Sequence, residues 1–129
     1  MTETKTSVIV TADMSAERHG NPGFPVLATP VLLGLFEKAA IAAMVDRLSA
    51  GEGSVGTGAS LKHLAATPIG QTVTITARIT SAEGKQISFE LEAHDESEKI
   101  ATCSHDRFIV DVARFTGRLA KKAEAAKAS

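Results

Sequence analysis

A long helix with apolar side chains on almost every side is the feature that most constrains this chain. The pattern predicts a helix from Pro30 to about Leu48. We expect Thr29 to be its N-cap, because threonine caps helices well and proline suits the first helical position. A helix of this kind must be covered on most sides. The rest of the chain therefore has to supply a surface that wraps around it.

Alternating apolar residues predict five strands that could form this surface. A stretch rich in β-branched residues at 6–14 precedes the helix, and a loop at 15–26 separates the two. After the helix the period changes to two, which indicates strands at 54–63, 71–80, 86–94 and 100–112, with turns at 81–85 and 95–99. We expect an antiparallel meander. On the first of these later strands the residues predicted to share one side are Val55, Thr57, Ala59, Leu61 and His63.

These elements predict an α+β fold, a hotdog, in which a five-stranded antiparallel sheet wraps round one long central helix. One sheet covers only one side of the helix, so we expect a homodimer, with a dimer of dimers left open. The 129 residues suffice for one core. We predict a single domain at 1–112 and an Ala/Lys-rich tail at 113–129 that forms a marginal, exposed helix.

Composition narrows the classes of partner. Lys and Arg number 14 against 15 Asp and Glu, and Trp and Tyr are absent, which argues against nucleic acid as the partner. The apolar run is interrupted by charges and the N-terminus does not look like a signal peptide, so we expect no membrane span. A single cysteine, Cys103, fits a reducing, cytoplasmic location.

Glu37 is the one carboxylate within the apolar part of the helix. Its neighbours at helical spacing are Leu33, Ala40, Ile41 and Met44, all apolar. Two interpretations fit: a partly exposed carboxylate near the positive end of the helix dipole, or a functional group. A buried carboxylate would need an ion-pair or hydrogen-bond partner, or a functional role, because burying a charge alone costs free energy.

Two other polar residues are candidates for the same site. Thr29 has a sufficient role as the N-cap, yet it lies two turns from Glu37, so both could border one cavity. His63 ends a predicted strand on its apolar side. A structural core histidine and a group at the rim of a cleft are both open interpretations of His63.

The remaining motifs are weaker signals. We expect His19 in a flexible loop, His94 at a solvated turn, and His105 at the surface, paired with Asp106 or Arg107. There is no HxxxH, HExxH, CxxC or GxSxG pattern, so we predict no metal site and no α/β-hydrolase. The stretch GEGSVGTG lacks the Lys-Ser/Thr of a P-loop.

Three segments together resemble the fluoroacetyl-CoA thioesterase-like branch of the hotdog superfamily. They are ATPVLLGLFEKAAIAAM, GEGSVGTGASLKHLAATPIGQTVTITA and AHDESEKIATCSHDRFIVD, within roughly residues 24–111. The resemblance implies a homodimeric hotdog that hydrolyses small acyl-CoA thioesters and requires no cofactor or metal. The family's triad then falls on Thr29, Glu37 and His63. Its substrate-binding residues fall on Gly56, whose N–H would face the thioester carbonyl, on Arg107, and on Phe24 for the aromatic lid.

The chemistry of thioester hydrolysis suits these residue types. It needs a base or nucleophile, an oxyanion donor and a proton for the leaving thiolate. Glu37 would be the base or nucleophile, and the sequence leaves open which. His63 would orient the carboxylate and carry the proton.

Two further hypotheses stand beside hydrolysis. One is a hotdog module that binds an acyl-CoA without turning it over. The other is a hydratase-type lyase on the same fold, which is weaker because residues 30–48 contain no histidine.

Overall fold

Five antiparallel strands form one sheet in residues 3–128, and one long helix packs on the inner face of that sheet. The computed structural model describes these residues, so residues 1, 2 and 129 of the predicted domain and tail lie outside it. The predicted sheet and central helix are confirmed. The elements are β1 (Glu3–Ile9), α1 (Thr29–Met44), β2 (Glu52–His63), β3 (Thr72–Glu83), β4 (Gln86–His94), β5 (Lys99–Asp111) and α2 (Val112–Ala128).

The strand order in space is β1-β3-β4-β5-β2. The predicted meander is confirmed for β3, β4 and β5, which pair in sequence order. β2 lies outside this meander and pairs with β5, in a register that places Leu61 opposite Cys103. The chain therefore crosses the sheet after β2, and β2 forms one edge of the sheet.

Several element boundaries differ from the prediction. β1 ends at Ile9 rather than 14, because Ala12–Met14 closes into a 3₁₀ turn, and Ala16–His19 forms a second such turn inside the predicted loop. β3 extends to Glu83, which shortens the predicted turn at 81–85. Gly84 adopts φ 61° there, a left-handed conformation that glycine accepts without strain.

The start of α1 also differs from the prediction. Thr29 is the first helical residue and Ala28 is the N-cap, with no side-chain cap hydrogen bond. The N-cap role predicted for Thr29 is therefore wrong, because its hydroxyl bonds a residue of β2. The helix ends at Met44, and Val45–Arg47 continues as a 3₁₀ turn.

The core lies between α1 and the inner face of the sheet. Along β3 and β4 the apolar residues alternate with polar ones, and these alternating apolar residues are the buried ones. The buried residues of α1 are Leu32, Phe36, Ala39, Ala40, Ala43 and Met44, and those of the two strands are Val73, Ile75, Ala77, Ile79, Ile87, Phe89, Leu91 and Ala93.

One face of α1 stays uncovered within the single chain. Ile41 is 44% exposed and Val45 is 58% exposed, and they follow Glu37 at intervals of four residues. The helix is therefore apolar on more sides than this chain covers.

A β-bulge in β2 overturns part of the predicted alternation. The register shifts between Gly56 and Gly58, so Thr57 is the extra residue. Val55 lies opposite the outward-facing Phe108, and Gly56 lies opposite Arg107. Placing Val55 and Thr57 on the same side as His63 was therefore wrong, because a bulge reverses the alternation that precedes it.

The C-terminal helix α2 begins directly after β5 and has no buried residue. No helix in residues 3–128 combines the length and apolar character needed to span a bilayer.

We expect the Phe36→Ala substitution to destabilise the fold by about 3–5 kcal/mol, because it leaves a cavity between α1 and the sheet. The matched control is Phe24→Ala, since the Phe24 side chain is 53% exposed. Urea unfolding at one fixed protein concentration measures both. Equal losses of stability for the two variants would contradict this placement of the core.

Candidate functional site

Glu37 meets Arg107 where α1 crosses β5. Arg107 Nη1 lies 3.6 Å from Glu37 Oε2, and the side chains are 6% and 44% exposed respectively. Glu37 therefore does not have the purely apolar surroundings that helical spacing suggested. Its carboxylate has a cationic partner on the sheet.

Three hydrogen bonds hold the Arg107 guanidinium in place. Nε donates to Ser54 Oγ at 2.8 Å, Nη2 donates to the Ser54 carbonyl at 3.0 Å, and Nη1 lies 3.2 Å from His105 Nε2. Burial lowers the pKa of Arg107 from its ordinary value, and the Glu37 carboxylate opposes that change. An arginine keeps its charge under such conditions, so this group is a fixed cation.

His105 is buried rather than at the surface, so the prediction of surface pairing is wrong. It is 3% exposed, and its Nδ1 lies 2.7 Å from the Gly58 carbonyl. Its ring stacks on Phe89 with centroids 6.0 Å apart. The signal that sequence reasoning missed is parity, because His105 alternates in step with the apolar Cys103 and Ile109.

Gly56 belongs to this group because it has no side chain, which leaves room for the carboxylate and the guanidinium. A Cβ at Gly56 would lie 3.2 Å from Glu37 Oε2 and 3.3 Å from Arg107 Nη1. Any other residue would press on the carboxylate and the guanidinium. The bulge at Thr57 brings the Gly56 backbone to the inner face. Glu37, Gly56 and Arg107 form what we call the acidic half-site.

Thr29 and His63 form a second group, the histidine half-site. Thr29 Oγ1 and His63 Nδ1 lie 2.8 Å apart and share a hydrogen bond. A hydroxyl both donates and accepts, and a neutral imidazole carries its proton on either nitrogen. This pair can therefore pass a proton in either direction.

The protonation of His63 is controlled by its surroundings. Burial lowers the pKa of His63 below its ordinary value, and the nearby Ala65 backbone partly offsets this effect. Nε2 is buried and makes no hydrogen bond of ordinary geometry within residues 3–128. The ring is therefore neutral at pH 7.

The single chain keeps the two half-sites apart. Thr29 and Glu37 are separated by about 12 Å along α1, given the helical rise per residue. Gly56 and His63 are about 23 Å apart along β2, at the spacing of an extended strand. Within residues 3–128, no hydrogen bond or ion pair joins the two groups.

Three cavities among residues 3–128 lie away from both half-sites. These cavities, of about 370, 460 and 270 Å³, have walls that do not include Thr29, Glu37 or His63. Phe24, the lid candidate, lies in the loop before α1 with its side chain 53% exposed. None of these three cavities is therefore an acyl pocket lined by the predicted triad.

The described side chains offer little support for a cysteine nucleophile or for a metal site. Burial raises the pKa of the Cys103 thiol to about 11, so it is protonated at neutral pH and unsuited to nucleophilic attack. Among residues 3–128, no three side chains of His, Cys, Asp or Glu lie together in a way that could hold a metal ion.

Known proteins are similar to this chain in both sequence and architecture. The sequence profile of the fluoroacetyl-CoA-specific thioesterase family, FlK, matches residues 10–113. The fluoroacetyl-CoA thioesterase of Streptantibioticus cattleyicolor is 41% identical over 103 residues, which are 79% of this chain and 74% of that protein.

Solved structures agree with this match. A structure of the fluoroacetyl-CoA thioesterase FlK has a TM-score of 0.88 and 33% identity, with 93% of each chain covered. A hot-dog-like protein from Thermanaerovibrio acidaminovorans has a TM-score of 0.87 at 21% identity, with 94% of this chain and 90% of that chain covered. The second likeness concerns the fold alone, and it identifies the predicted hotdog.

We expect the His63 ring to titrate below pH 6.5 in an NMR experiment, because burial disfavours its charged form. A His63 midpoint at or above 6.5 would contradict the lowered pKa described above.

Proposed function

We propose, from the premise that this chain belongs to the fluoroacetyl-CoA-specific thioesterase family, that it hydrolyses a small acyl-CoA to a carboxylic acid and free CoA. As a member of that family it is a thioester hydrolase. The observation that carries the assignment of the site is the close approach of Glu37, Arg107 and Gly56. No cofactor enters the proposed reaction.

We propose that the protein acts as a homodimer joined along β2, and a dimer of dimers stays compatible with this. β2 is an edge strand, and its middle residues 56–60 are small and exposed. An unpaired edge of this kind readily pairs with a second copy. The neighbouring exposed side chains of Ile41 and Val45 supply apolar surface that the same contact would bury.

A two-fold axis would bring the two half-sites together. In an isologous contact, the same surface of both chains takes part. If one residue of the first chain contacts a second residue of the other chain, the reverse contact also forms. Antiparallel pairing of β2 with its copy about an axis near Ala59 and Ser60 places Gly56 opposite His63 of the partner subunit. Each active site would then combine the acidic half-site of one chain with the histidine half-site of the other.

The half-sites have complementary chemical roles in this proposal. Glu37 either draws a proton from an attacking water or attacks the thioester carbonyl itself, forming an anhydride that water then opens. The Gly56 N–H stabilises the oxyanion, and Arg107 fixes the carboxylate. When the C–S bond breaks, CoA leaves as a thiolate. That thiolate receives, relayed through Thr29 and His63, a proton released by the water molecule that completes the hydrolysis.

The remaining proposals concern the domain bounds, the lid, the cellular location and the partners. Residues 1–112 would be the catalytic domain, 113–129 an appendage, and Phe24 part of a lid over the acyl group. We propose a cytoplasmic location, supported by the single buried thiol. Neither nucleic acid nor a membrane is a partner in this proposal.

A panel of short-chain acyl-CoAs, including fluoroacetyl-CoA, tests the reaction by thiol release. We expect at least one member to be hydrolysed well above background. Glu37→Gln and His63→Ala should each lower kcat by about 100-fold or more, because general acid–base groups typically contribute this much. His94→Ala is the matched control.

Tight binding of an acyl-CoA without thiol release would favour the binding-module hypothesis instead. Full activity in both variants would refute the assigned site.

Subunit mixing tests the shared site. Glu37→Gln and His63→Ala dimers, each inactive, should regain about a quarter of wild-type activity after exchange, because half of the dimers become mixed and each mixed dimer has one intact site.

Mixing Glu37→Gln with Arg107→Ala is the control, since both residues belong to one half-site, and it should restore nothing. No recovery in the first mixture, with exchange verified by mass spectrometry, would mean that the site is not shared.

A further inference from the structure

The contacts of His105 determine which of its nitrogens carries the proton. Nδ1 lies 2.7 Å from the Gly58 carbonyl, which can only accept. Nε2 lies 3.2 Å from Arg107 Nη1, which can only donate. A neutral ring protonated on Nδ1 satisfies both contacts, whereas a charged ring would place an N–H and a positive charge against the guanidinium.

The nitrogen that His105 contacts is the one nearest to Glu37. Ser54 holds Nε and Nη2 of Arg107. Among the residues described, the polar partners of Nη1 are His105 Nε2 and Glu37 Oε2. Without the imidazole, Nη1 would have a single partner at 3.6 Å. The ring thus defines the side of the guanidinium that faces the carboxylate.

The Nδ1 atom of His105 holds the bulge of β2 in place. The carbonyl that it contacts belongs to Gly58, directly after the extra residue Thr57. The bulge is also held by Thr57 Oγ1, which donates to the Asp106 carbonyl at 3.2 Å. One buried ring therefore links the two features that shape the acidic half-site, the guanidinium and the bulged strand that carries Gly56.

We propose that His105 is a positioning residue for the hydrolysis: as a neutral ring it holds Arg107 against Glu37 and holds the bulge that places Gly56 beside them. This inference rests on the proposed role of Glu37. In this role His105 acts on the reaction through Arg107 and through the bulge, rather than on the acyl group directly.

A double-mutant cycle distinguishes this role from simple packing. His105→Phe keeps an apolar ring on Phe89 but loses both hydrogen bonds. We expect it to lower kcat by about 10-fold to 100-fold, because small displacements of positioning groups have effects of this size, with KM changed much less. In an Arg107→Ala background the same change should lower kcat by a clearly smaller factor, because only its effect on the bulge then remains.

The conservative variant His105→Gln offers an amide oxygen to Arg107 and should retain more activity than His105→Phe. His94→Phe is the matched control and should leave kcat unchanged. Equal losses from His105→Phe in both backgrounds, or no loss in either, would overturn the positioning role.

A spectroscopic readout separates this inference from the proposed function. Long-range ¹H–¹⁵N correlation spectra of the full wild-type chain should show His105 protonated on Nδ1 and not on Nε2. A ring protonated on Nε2 would overturn the inference whatever the activity. Full activity of Glu37→Gln, with the expected tautomer in place, would overturn the proposed function of Glu37 and leave the hydrogen-bonded arrangement standing.

Discussion

The packing of α1 on the inner face of the sheet is the constraint on which the rest of the structure depends. Phe36 and its buried neighbours fill the space between α1 and the inner face of the sheet, which fixes the rotation of the helix about its axis. That rotation decides where the next residue, Glu37, points. The carboxylate is directed to the junction of β2 and β5, and the driving force is burial of apolar surface elsewhere on the same helix.

The polar groups at that junction depend on one another. A guanidinium as buried as Arg107 must be paired, since an unpaired buried charge is costly. Glu37, His105 and Ser54 together meet this requirement. The absence of a side chain at Gly56 leaves room for them. The group is therefore a small electrostatic network in which each partner restricts the others.

The separation of the half-sites links the chemistry to assembly. A carboxylate beside Gly56 and a Thr–His pair at the end of β2 suit a site completed by a second chain. A two-fold axis that crosses the edge strand between these two positions brings each one opposite the other. The exposed face of α1 and the small residues at the middle of β2 fit the same arrangement. One surface would then serve both stability and catalysis.

Local pattern by itself determined the long helix, the faces of β3 and β4, and Glu37 as an unusual carboxylate. These features repeat within a few residues, so periodicity reveals them. Resemblance added Thr29, His63, Gly56 and Arg107 as candidates. Only the tertiary structure decided that β2 pairs with β5, that a bulge reverses the side chains before Gly58, and that His105 is buried against Arg107. Those outcomes depend on pairing between segments some fifty residues apart, and a register shift of one residue reverses every side chain without leaving a local trace.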